Sequence, residues 1–445
     1  MNAINELPTL PRSENPYEDF RYFYRDGMPL RPSPRRRTER PSWSTVRHNL
    51  FDKWHHVRDD WSYDTAQTRL LDDHMWQTDE LGAAVAEMFK RVGSKQARAD
   101  FELALEQGID KVENPEPELV ALFEQLDHIP EWIDLEAAER GRVAYYNTTE
   151  TSEFLTFAFG YWATTMEDRT SAATGETQMF ELRPLQRAME TSEFFVNTGL
   201  HGVFDRYSEG FKSAVRVRLA HAQANRYLEK LWGPEHFNEF GRPIGSSFLV
   251  SGEGWFALLP LALDEFFGRP HSGQEWDDVA MYWAYILYVM GAEERIIPKN
   301  GDEMRKMTDF IFANGGMSSS YRQQIATALF EILEMMNPEA PLKSLAGLSL
   351  IVGEEDTRFM ISGTRWAELD WSEEAKKLEA EAREQAAQMR EEDAHTDAWQ
   401  RMEARSREGN PPWMTALREQ IHHAEEHGLD VPSNFQLHDA TTDAH

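Results

Sequence analysis

The sequence predicts an all-α protein, and three observations indicate that fold class. From about Trp76 to Leu345 the apolar residues recur at the spacing of amphipathic helices, and no series of alternating apolar and polar residues indicates a sheet. Proline and glycine clusters, for example Gly233-Pro234, separate the helical segments. Hydrophobic residues make up 41 % of the 445 residues, which is enough for a large buried core.

The chain divides into three parts by composition. Residues 1–60 are rich in proline and arginine, and we expect an extended N-terminal arm that lies on the body or is partly disordered. Residues 61–350 carry the helical periodicity and form the predicted main domain. Residues 351–445 form a predicted C-terminal helical extension.

Three segments towards the C-terminus have distinct patterns. Segment 346–363 is largely apolar without a clean period, so we expect irregular structure there. Segment 372–407 is rich in Glu, Ala, Lys and Arg, which predicts an exposed helix. A further helix is predicted at about Pro412–His427, where His423 and His427 lie one turn apart. This pair could bind a metal, but a solvated helix with incidental histidines is favoured.

The charge balance excludes several kinds of partner. Acidic residues outnumber basic residues by 77 to 46, and the formal net charge is −31. Such a surface does not attract nucleic acid or anionic lipid, because both require positive charge. No stretch reads as apolar over the length of a membrane span, and the N-terminus has no basic-then-apolar signal pattern. We therefore expect a cytoplasmic protein with no nucleic-acid partner and no membrane span.

The chain contains no cysteine, and this limits its metal chemistry. Disulfides, iron–sulfur clusters, zinc–cysteine sites, covalently attached c-type haem and thiolate-ligated haem are all excluded. A transition metal would have to be held by other side chains, such as the imidazole of one of the 15 histidines.

One predicted helix, SAVRVRLAHAQANRYLEKLW at 213–232, carries a histidine within an apolar stripe. The stripe has spacings of three and four residues and consists of Ala214, Val217, His221, Ala224, Leu228 and Leu231. Its small residues would let a flat macrocycle approach closely enough for His221 to reach a haem iron. Arg216, Arg218 and Arg226 flank the stripe and could meet haem propionates. A core histidine that bonds a backbone carbonyl explains the same pattern, and periodicity alone favours it.

A second predicted helix, RPLQRAMETSEFF at 183–195, could supply polar groups to a pocket. Arg187 and Thr191 lie one turn apart on one face, and Glu190 is adjacent to that face. An arginine, a carboxylate and a hydroxyl on one turn could line a polar pocket on the distal side of a haem. They could equally form an ordinary surface group, and the residues alone favour that interpretation.

These segments resemble the MpaB/latex-clearing-protein family of haem b oxygenases. The family has a helix reading R-L-x-H-A-x-x-R and then a loop with G-x-P-I, and this chain has VRVRLAHAQANRYL followed by WGPEHFNEFGRPI. Asn225 departs from the basic residue often found at its position. Upstream, Arg187-x-x-Glu190-Thr191 is similar to the family's R-x-x-K-T helix, and downstream YWAYILYVMGA at 282–292 is similar to its aromatic helix. The resemblance covers about residues 145–350.

The resemblance implies a globin-like, multi-helix haem-binding core with haem b as the cofactor. It implies that His221 is the proximal iron ligand and that Arg187 and Thr191 line the distal pocket. We therefore expect the helix of His221 to pack against the helix of Arg187. Glu190 stands where rubber-cleaving members have a lysine that can cap the iron, so we expect no lysine-capped resting state.

The leading functional hypothesis is an oxygenase. The resemblance implies that O₂ binds opposite His221 and that a small apolar substrate, isoprenoid-like or a secondary metabolite, is cleaved at a carbon–carbon double bond. Glu190, if distal, could abstract a proton, and relatives use an acidic residue near the positions of Glu167 and Asp168. A haem peroxidase-like oxidoreductase and a haem-free helical binding or scaffold protein are the alternatives. The sequence predicts neither the electron donor nor the oligomeric state.

Overall fold

The structure is a computed structural model that describes residues 29–34, 43–57, 65–177, 184–314 and 321–395, together with residue 400. Over these residues the chain forms 17 α-helices and no β-strand, so the predicted all-α fold class is confirmed. In chain order the helices are α1 (Ser44–Phe51), α2 (Ala66–Asp73), α3 (Glu80–Val92), α4 (Ser94–Gln107), α5 (Pro117–Leu126), α6 (Leu135–Tyr145), α7 (Glu150–Met166), α8 (Asp168–Thr177), α9 (Pro184–Thr198), α10 (Glu209–Phe240), α11 (Ser246–Phe267), α12 (Gly273–Val289), α13 (Gly301–Asn314), α14 (Arg322–Met336), α15 (Ala340–Ile351), α16 (Glu354–Ile361) and α17 (Ser372–His395).

Helices α6 and α12 pack against each other at the centre of the body. Ser272 caps α12 through a reciprocal pair of hydrogen bonds with Glu275, which fixes where the helix begins. From Trp276 to Val289 nearly every side chain of α12 is buried. Gly141 permits the close contact, because a Cβ there would lie 1.9 Å from the backbone oxygen of Asp278 on α12.

Helices α7 and α11 pack in opposite directions. Asp264, close to the end of α11, accepts hydrogen bonds of 3.0 and 2.8 Å from the backbone N–H and the hydroxyl of Thr149, the residue before α7. Further along, Gly160 of α7 lies against the ring of Phe256 on α11. Thr149, before α7, contacts Asp264 late in α11, whereas Gly160 later in α7 contacts Phe256 earlier in α11. The two helices are therefore antiparallel.

The N-terminal segment contributes a helix and a core tryptophan. Trp43 is 1 % exposed, and its ring contacts those of Phe159, Trp162, Trp255 and Phe312. Helix α1 follows at once, and Arg47 on it donates a 2.7 Å hydrogen bond to Asp309 of α13. The expectation of an extended arm is therefore wrong for Ser44–Phe51, whose helical run is too short to show a period in the sequence. The boundaries of the three predicted parts stay a prediction.

Residues 346–363 are largely helical, so the predicted irregular structure is wrong. The chain continues α15 to Ile351, turns at Gly353, where φ is 88°, and begins α16 at Glu354. Helix α15 packs against α7, α14, α16 and α17. A helix that is covered on most sides is apolar on most sides and shows no apolar period. The lack of a period in segment 346–363 therefore did not indicate irregular structure.

Helix α17 begins at Ser372, so the helix predicted from that residue is confirmed. The predicted exposure is wrong for one side of it. One narrow stripe is buried against the body and consists of Ala375, Leu378, Ala382 and Ala386. Alanine contributes little to an apolar pattern, so the stripe was not visible in the sequence. In addition, Gln385 accepts a 3.1 Å hydrogen bond from the backbone N–H of Thr151. The predicted helix at 412–427, with its histidines, lies outside the described residues.

Within the described residues, α11 is long and apolar enough to cross a membrane by length and composition. The expectation that no stretch reaches that length is therefore wrong for this helix. Protein covers 82 % of its most apolar window, and a buried core helix passes the same test. The absence of a membrane span stays a prediction.

A buried polar cluster joins the end of α11 to α12 and α17. Asp264 is fully buried and lies 2.7 Å from Nη1 of Arg269 and 3.2 Å from Nε2 of His271. Arg269 also donates a 2.9 Å hydrogen bond to Asp393 of α17. On its other side, Nδ1 of His271 lies 3.6 Å from Glu275. The imidazole thus lies between two carboxylates, a position that favours its protonated form.

We expect the stability that His271 supplies to depend on pH. Burial opposes the charged imidazole, and Arg269 adds to that effect, but the contacts with Asp264 and Glu275 outweigh both and raise the pKa of His271 above 6.5. Because the folded state binds the proton of His271 more tightly than the unfolded state, protonation stabilises the fold below about pH 6.5. This stabilisation is lost as the pH rises through the folded-state pKa. The difference in unfolding free energy between the natural protein and His271→Gln should therefore shrink as the pH rises above 6.5 in denaturant titrations. A difference that stays constant over this range would contradict the prediction.

Candidate functional site

Helix α10, the longest of the described helices, carries His221. The hydroxyl of Ser208 accepts a hydrogen bond from the backbone N–H of Phe211 and so caps the start of the helix. The helix bends at Gly233, where φ is 79° and Pro234 follows. The bend separates the histidine-bearing part of α10 from the part that leads to the next loop.

The predicted apolar stripe of α10 is only partly buried. Ala214, Val217 and Leu228 are buried, as predicted. His221 and Ala224 are only partly buried, and Leu231 is 50 % exposed. The imidazole of His221 is therefore partly buried, with its Nδ1 atom inside the protein.

Helix α9, which carries the predicted distal residues, packs against α10, and this part of the prediction is confirmed. The two helices meet where α9 ends and α10 begins, since Nδ2 of Asn197 donates a 3.1 Å hydrogen bond to Oγ of Ser213. Counting back to Thr191 and forward to His221 moves about 10 Å along each helix axis. The two residues thus lie at similar distances from this contact.

The predicted distal residues differ in how far the structure describes them. Glu190 and Thr191 are both partly buried on α9. Arg187 lies within the same helix, but its side chain is outside the part of the chain that the structure describes. The roles of all three in a distal pocket stay predictions.

Three phenylalanine rings form an aromatic wall where α7, α9 and α11 meet. The ring of Phe195 lies 4.7 Å from that of Phe256 and 5.6 Å from that of Phe157, measured between centroids. Phe157 and Phe256 nevertheless stay partly accessible. One turn before Phe256, no described atom from another part of the chain lies within 4 Å of the position that a Cβ of Gly252 would take. Open space therefore borders α11 one turn from the aromatic wall.

Arg218, a predicted haem contact, is 3 % exposed and already holds Asp79. Its Nε and Nη2 lie 2.6 and 2.8 Å from the two carboxylate oxygens. Its Nη1 donates to Oε1 of Gln125 at 2.6 Å and to the backbone oxygen of Val289 at 3.3 Å. Arg218 thus joins α10 to the start of α3 and to the ends of α5 and α12. Its contact with a haem propionate stays a prediction.

The other two arginines beside the stripe also form ion pairs. Arg216 is buried, and its Nη2 lies 2.7 and 2.9 Å from Glu102 and Glu106 of α4. Arg226 is 35 % exposed and bonds Glu87 of α3 at 2.6 Å. Both side chains thus bind neighbouring helices, and the predicted haem contact of Arg226 stays a prediction.

Asn225 makes contacts that the sequence reasoning missed. Its amide nitrogen donates 2.8 Å hydrogen bonds to the backbone oxygen of Ile244 and to Oγ1 of Thr78. Its Oδ1 accepts a 2.7 Å hydrogen bond from the backbone N–H of Ile244. The available signal was a short amide one turn after His221, where the family resemblance leads one to expect a basic residue.

The loop between α10 and α11, residues 241–245, is fixed against the connection between α2 and α3. The backbone N–H of Arg242 donates a 3.1 Å hydrogen bond to the backbone oxygen of Met75. A Cβ at Gly241 or Gly245 would lie 2.8 or 2.9 Å from that same oxygen. The two glycines thus allow one backbone to lie directly on the other.

Glu167, near which the family resemblance places an acidic base, is buried between α7 and α8. Its Oε2 accepts 2.8 Å hydrogen bonds from the backbone N–H groups of Arg169 and Thr170, so it caps α8. Burial raises the pKa of Glu167, which favours its protonated form. The side chain of Asp168 lies outside the described part of the chain. Whether either residue acts as a base stays a prediction.

The donor set around His221 suits a haem better than a bare metal ion. Among the residues that the structure describes, no group of three or more His, Asp or Glu side chains is placed to hold a metal ion. A haem needs one protein ligand and room for its macrocycle. The partly buried His221, with the small Ala220 and Ala224 beside it on α10, fits that requirement.

Comparison with known proteins relates the chain to oxygenases. A family model described as "ER-bound oxygenase mpaB/B'/Rubber oxygenase, catalytic domain" matches residues 150–418, which include α9 and α10. The solved structure "Structure of Latex Clearing Protein LCP in the closed state" is similar with a TM-score of 0.52 and 14 % identity, over 71 % of this chain and 85 % of that chain. At that identity the likeness concerns the fold alone. No curated protein matches the sequence.

Proposed function

Because this chain belongs to the family of mpaB and rubber oxygenase catalytic domains, we propose that it is a haem b-dependent oxygenase that acts on a small apolar substrate. The family is one of oxygenases, so the chain is an oxidoreductase by membership. The observation that carries the proposal of a haem is His221, a partly buried imidazole among alanines on a helix within the matched region.

His221 would hold the iron through one nitrogen of a neutral imidazole, the proximal ligand that many haem proteins use. Ala220 and Ala224 leave room beside it, because their side chains end at Cβ. When bound, the haem supplies the binding and activation of O₂, and with it the oxidative cleavage of a carbon–carbon double bond. The protein supplies the orientation of the ligand and the surroundings of the substrate.

The aromatic wall offers the substrate a surface of matching chemistry. An isoprenoid-like chain that lies on the partly accessible rings of Phe157 and Phe256 would gain about 25 cal/mol for each Å² of apolar surface it buries. The same rings keep water from the reacting double bond. This is the basis for proposing an isoprenoid-like chain or an apolar secondary metabolite rather than a polar substrate.

Glu190 and Thr191 would supply polar groups to the pocket that holds O₂ and the substrate. The carboxylate of Glu190 can accept a proton from the substrate, and the hydroxyl of Thr191 can donate a hydrogen bond. Arg187 would add a positive charge to the same turn of α9. The contact between Asn197 and Ser213 supports this arrangement, because Thr191 and His221 each lie about 10 Å from it along their own helices.

The absorption spectrum of the chain, purified after expression with haem supply, tests the proposal. A Soret band that is lost with the histidine supports a haem protein, whereas its absence refutes it and leaves a haem-free helical binding protein. Incubation with a polyprenyl alkene then separates the two kinds of haem enzyme. An oxygenase forms carbonyl products under O₂ without peroxide, whereas a peroxidase-like enzyme requires peroxide.

We expect Thr191→Val to lower the O₂ affinity of the reduced holoprotein about 10-fold, because valine keeps the shape and deletes only the hydroxyl donor. Stopped-flow measurement of O₂ dissociation gives the effect. Thr327→Val is the control, since its hydroxyl bonds the backbone of Gln323 on an exposed part of α14. Equal O₂ dissociation rates in both variants and the natural protein would place Thr191 outside the distal pocket.

A further inference from the structure

Two buried polar side chains bracket His221 on α10. Arg218 lies three residues before it and holds the start of α3 through Asp79. Asn225 lies four residues after it and holds the loop between α10 and α11 through Ile244. At about 100° per residue, Arg218 and Asn225 lie on the same side of α10, roughly 60° and 40° from His221. The helix is thus held on one side, directly beside the histidine.

We propose that Asn225 is a positioning residue that sets the orientation of the His221 imidazole. It would do so by fixing the rotation of α10 about its axis against the α10–α11 loop. This inference rests on the proposed function, because it takes His221 to be the haem ligand. It adds a residue that acts on the ligand without touching the haem.

An amide suits this task because it donates and accepts hydrogen bonds at the same time. Asn225 pairs with both the N–H and the C=O of Ile244, as a neighbouring strand would, and its remaining N–H bonds Thr78. The side chain is 4 % exposed, so water cannot readily replace a broken bond. A rotation of α10 would leave these buried groups unsatisfied, which makes the observed rotation strongly preferred.

The loop can serve as a fixed reference because it is itself bound to the body. The backbone of Arg242 bonds that of Met75, and the backbone N–H of Ser247 donates a 3.1 Å hydrogen bond to the backbone oxygen of His74. Thr78, the third partner of Asn225, lies in the same α2–α3 connection, just before α3. Asn225 and His221 lie about one helical turn apart, so a helix whose rotation is fixed at Asn225 is also fixed at His221.

The test uses the haem-loaded protein and the iron–histidine stretching band of its ferrous state, measured by resonance Raman spectroscopy. Asn225→Asp keeps the size and the acceptor for Ile244 but loses both N–H donors. We expect the band to shift and haem to dissociate about 10-fold faster, as when other groups that orient a metal-bound histidine are changed. Asn225→Gln keeps the amide and should restore part of both effects.

Asn197→Ala is the matched control, because it also removes an amide that bonds α10. That amide bonds Ser213, which lies eight residues before His221. It should lower the melting temperature without moving the band. Thr78→Val removes one of the three bonds of Asn225 and should shift the band less, in the same direction, even if Asn225→Asp fails to fold. If Asn225→Asp and Thr78→Val lower the melting temperature and leave the band and haem dissociation unchanged, Asn225 is only structural and the inference is overturned.

The results also separate this inference from the proposed function. A natural protein without a Soret band, or with a spectrum that survives removal of the His221 imidazole, refutes the proposed function itself. A normal histidine-ligated spectrum that is insensitive to changes at Asn225 and Thr78 refutes only the positioning role.

Discussion

His221→Ala is expected to purify with at least about 10-fold less haem than the natural protein. Changing groups that merely orient a metal-bound histidine typically costs about 10- to 100-fold in metal affinity, and removing the ligand itself should cost no less. The ratio of extracted haem to protein measures the loss. Any haem that remains should show a shifted Soret band, because water replaces a nitrogen ligand.

His128→Ala is the control for this experiment. His128 is exposed in the connection between α5 and α6, so its loss should change neither the haem content nor the spectrum. Full haem content with an unchanged spectrum in His221→Ala would refute the assignment of the ligand.

Arg269→Ala is expected to lower the free energy of unfolding by about 3–5 kcal/mol, the usual cost of removing one partner from a buried ion pair. The substitution leaves Asp264, which is 0 % exposed, without the guanidinium 2.7 Å away. It also removes the 2.9 Å bond to Asp393, which ties α17 to the body. Denaturant titration followed by circular dichroism measures the change.

Arg383→Ala separates the effect of buried charge from that of any lost arginine. Arg383 and Glu379 form an ion pair on α17 with side chains that are 52 % and 40 % exposed. Its loss should cost less than about 1 kcal/mol, because water screens the pair and solvates the remaining carboxylate. Similar losses in Arg269→Ala and Arg383→Ala would contradict the role assigned to the buried cluster.

Local features of the sequence were enough to predict the all-α fold, and the family resemblance predicted the pairing of α9 with α10. Helical periodicity depends on residues three and four apart, so the burial of Ala214 and Val217 on α10 could be read directly. The motif around His221 is equally local, and its order relative to the α9 motif led to the family that the comparison confirms. These features needed no knowledge of the tertiary structure.

The partners of polar side chains could not be predicted in the same way. Arg218 was expected near a haem propionate, yet it holds Asp79, which lies 139 residues away in sequence. The sequence showed Asn225 only as a departure from the family motif. Its hydrogen-bond partner, Ile244, lies in a loop 19 residues later in the chain. A side chain's spacing shows which face of a helix it occupies, but only the fold decides what that face meets.

The contacts around Met75 also bear on how the protein folds. The side chain of Arg242 bonds the backbone of Trp76 across 166 residues of chain, and the backbone of Arg31 bonds Asp73 across 42. Closing such long loops costs chain entropy before the new contacts return any stability, so structures that depend on them form slowly. The surroundings of His221 should therefore be among the last parts of the molecule to become ordered, after the helices that are adjacent in sequence have already paired.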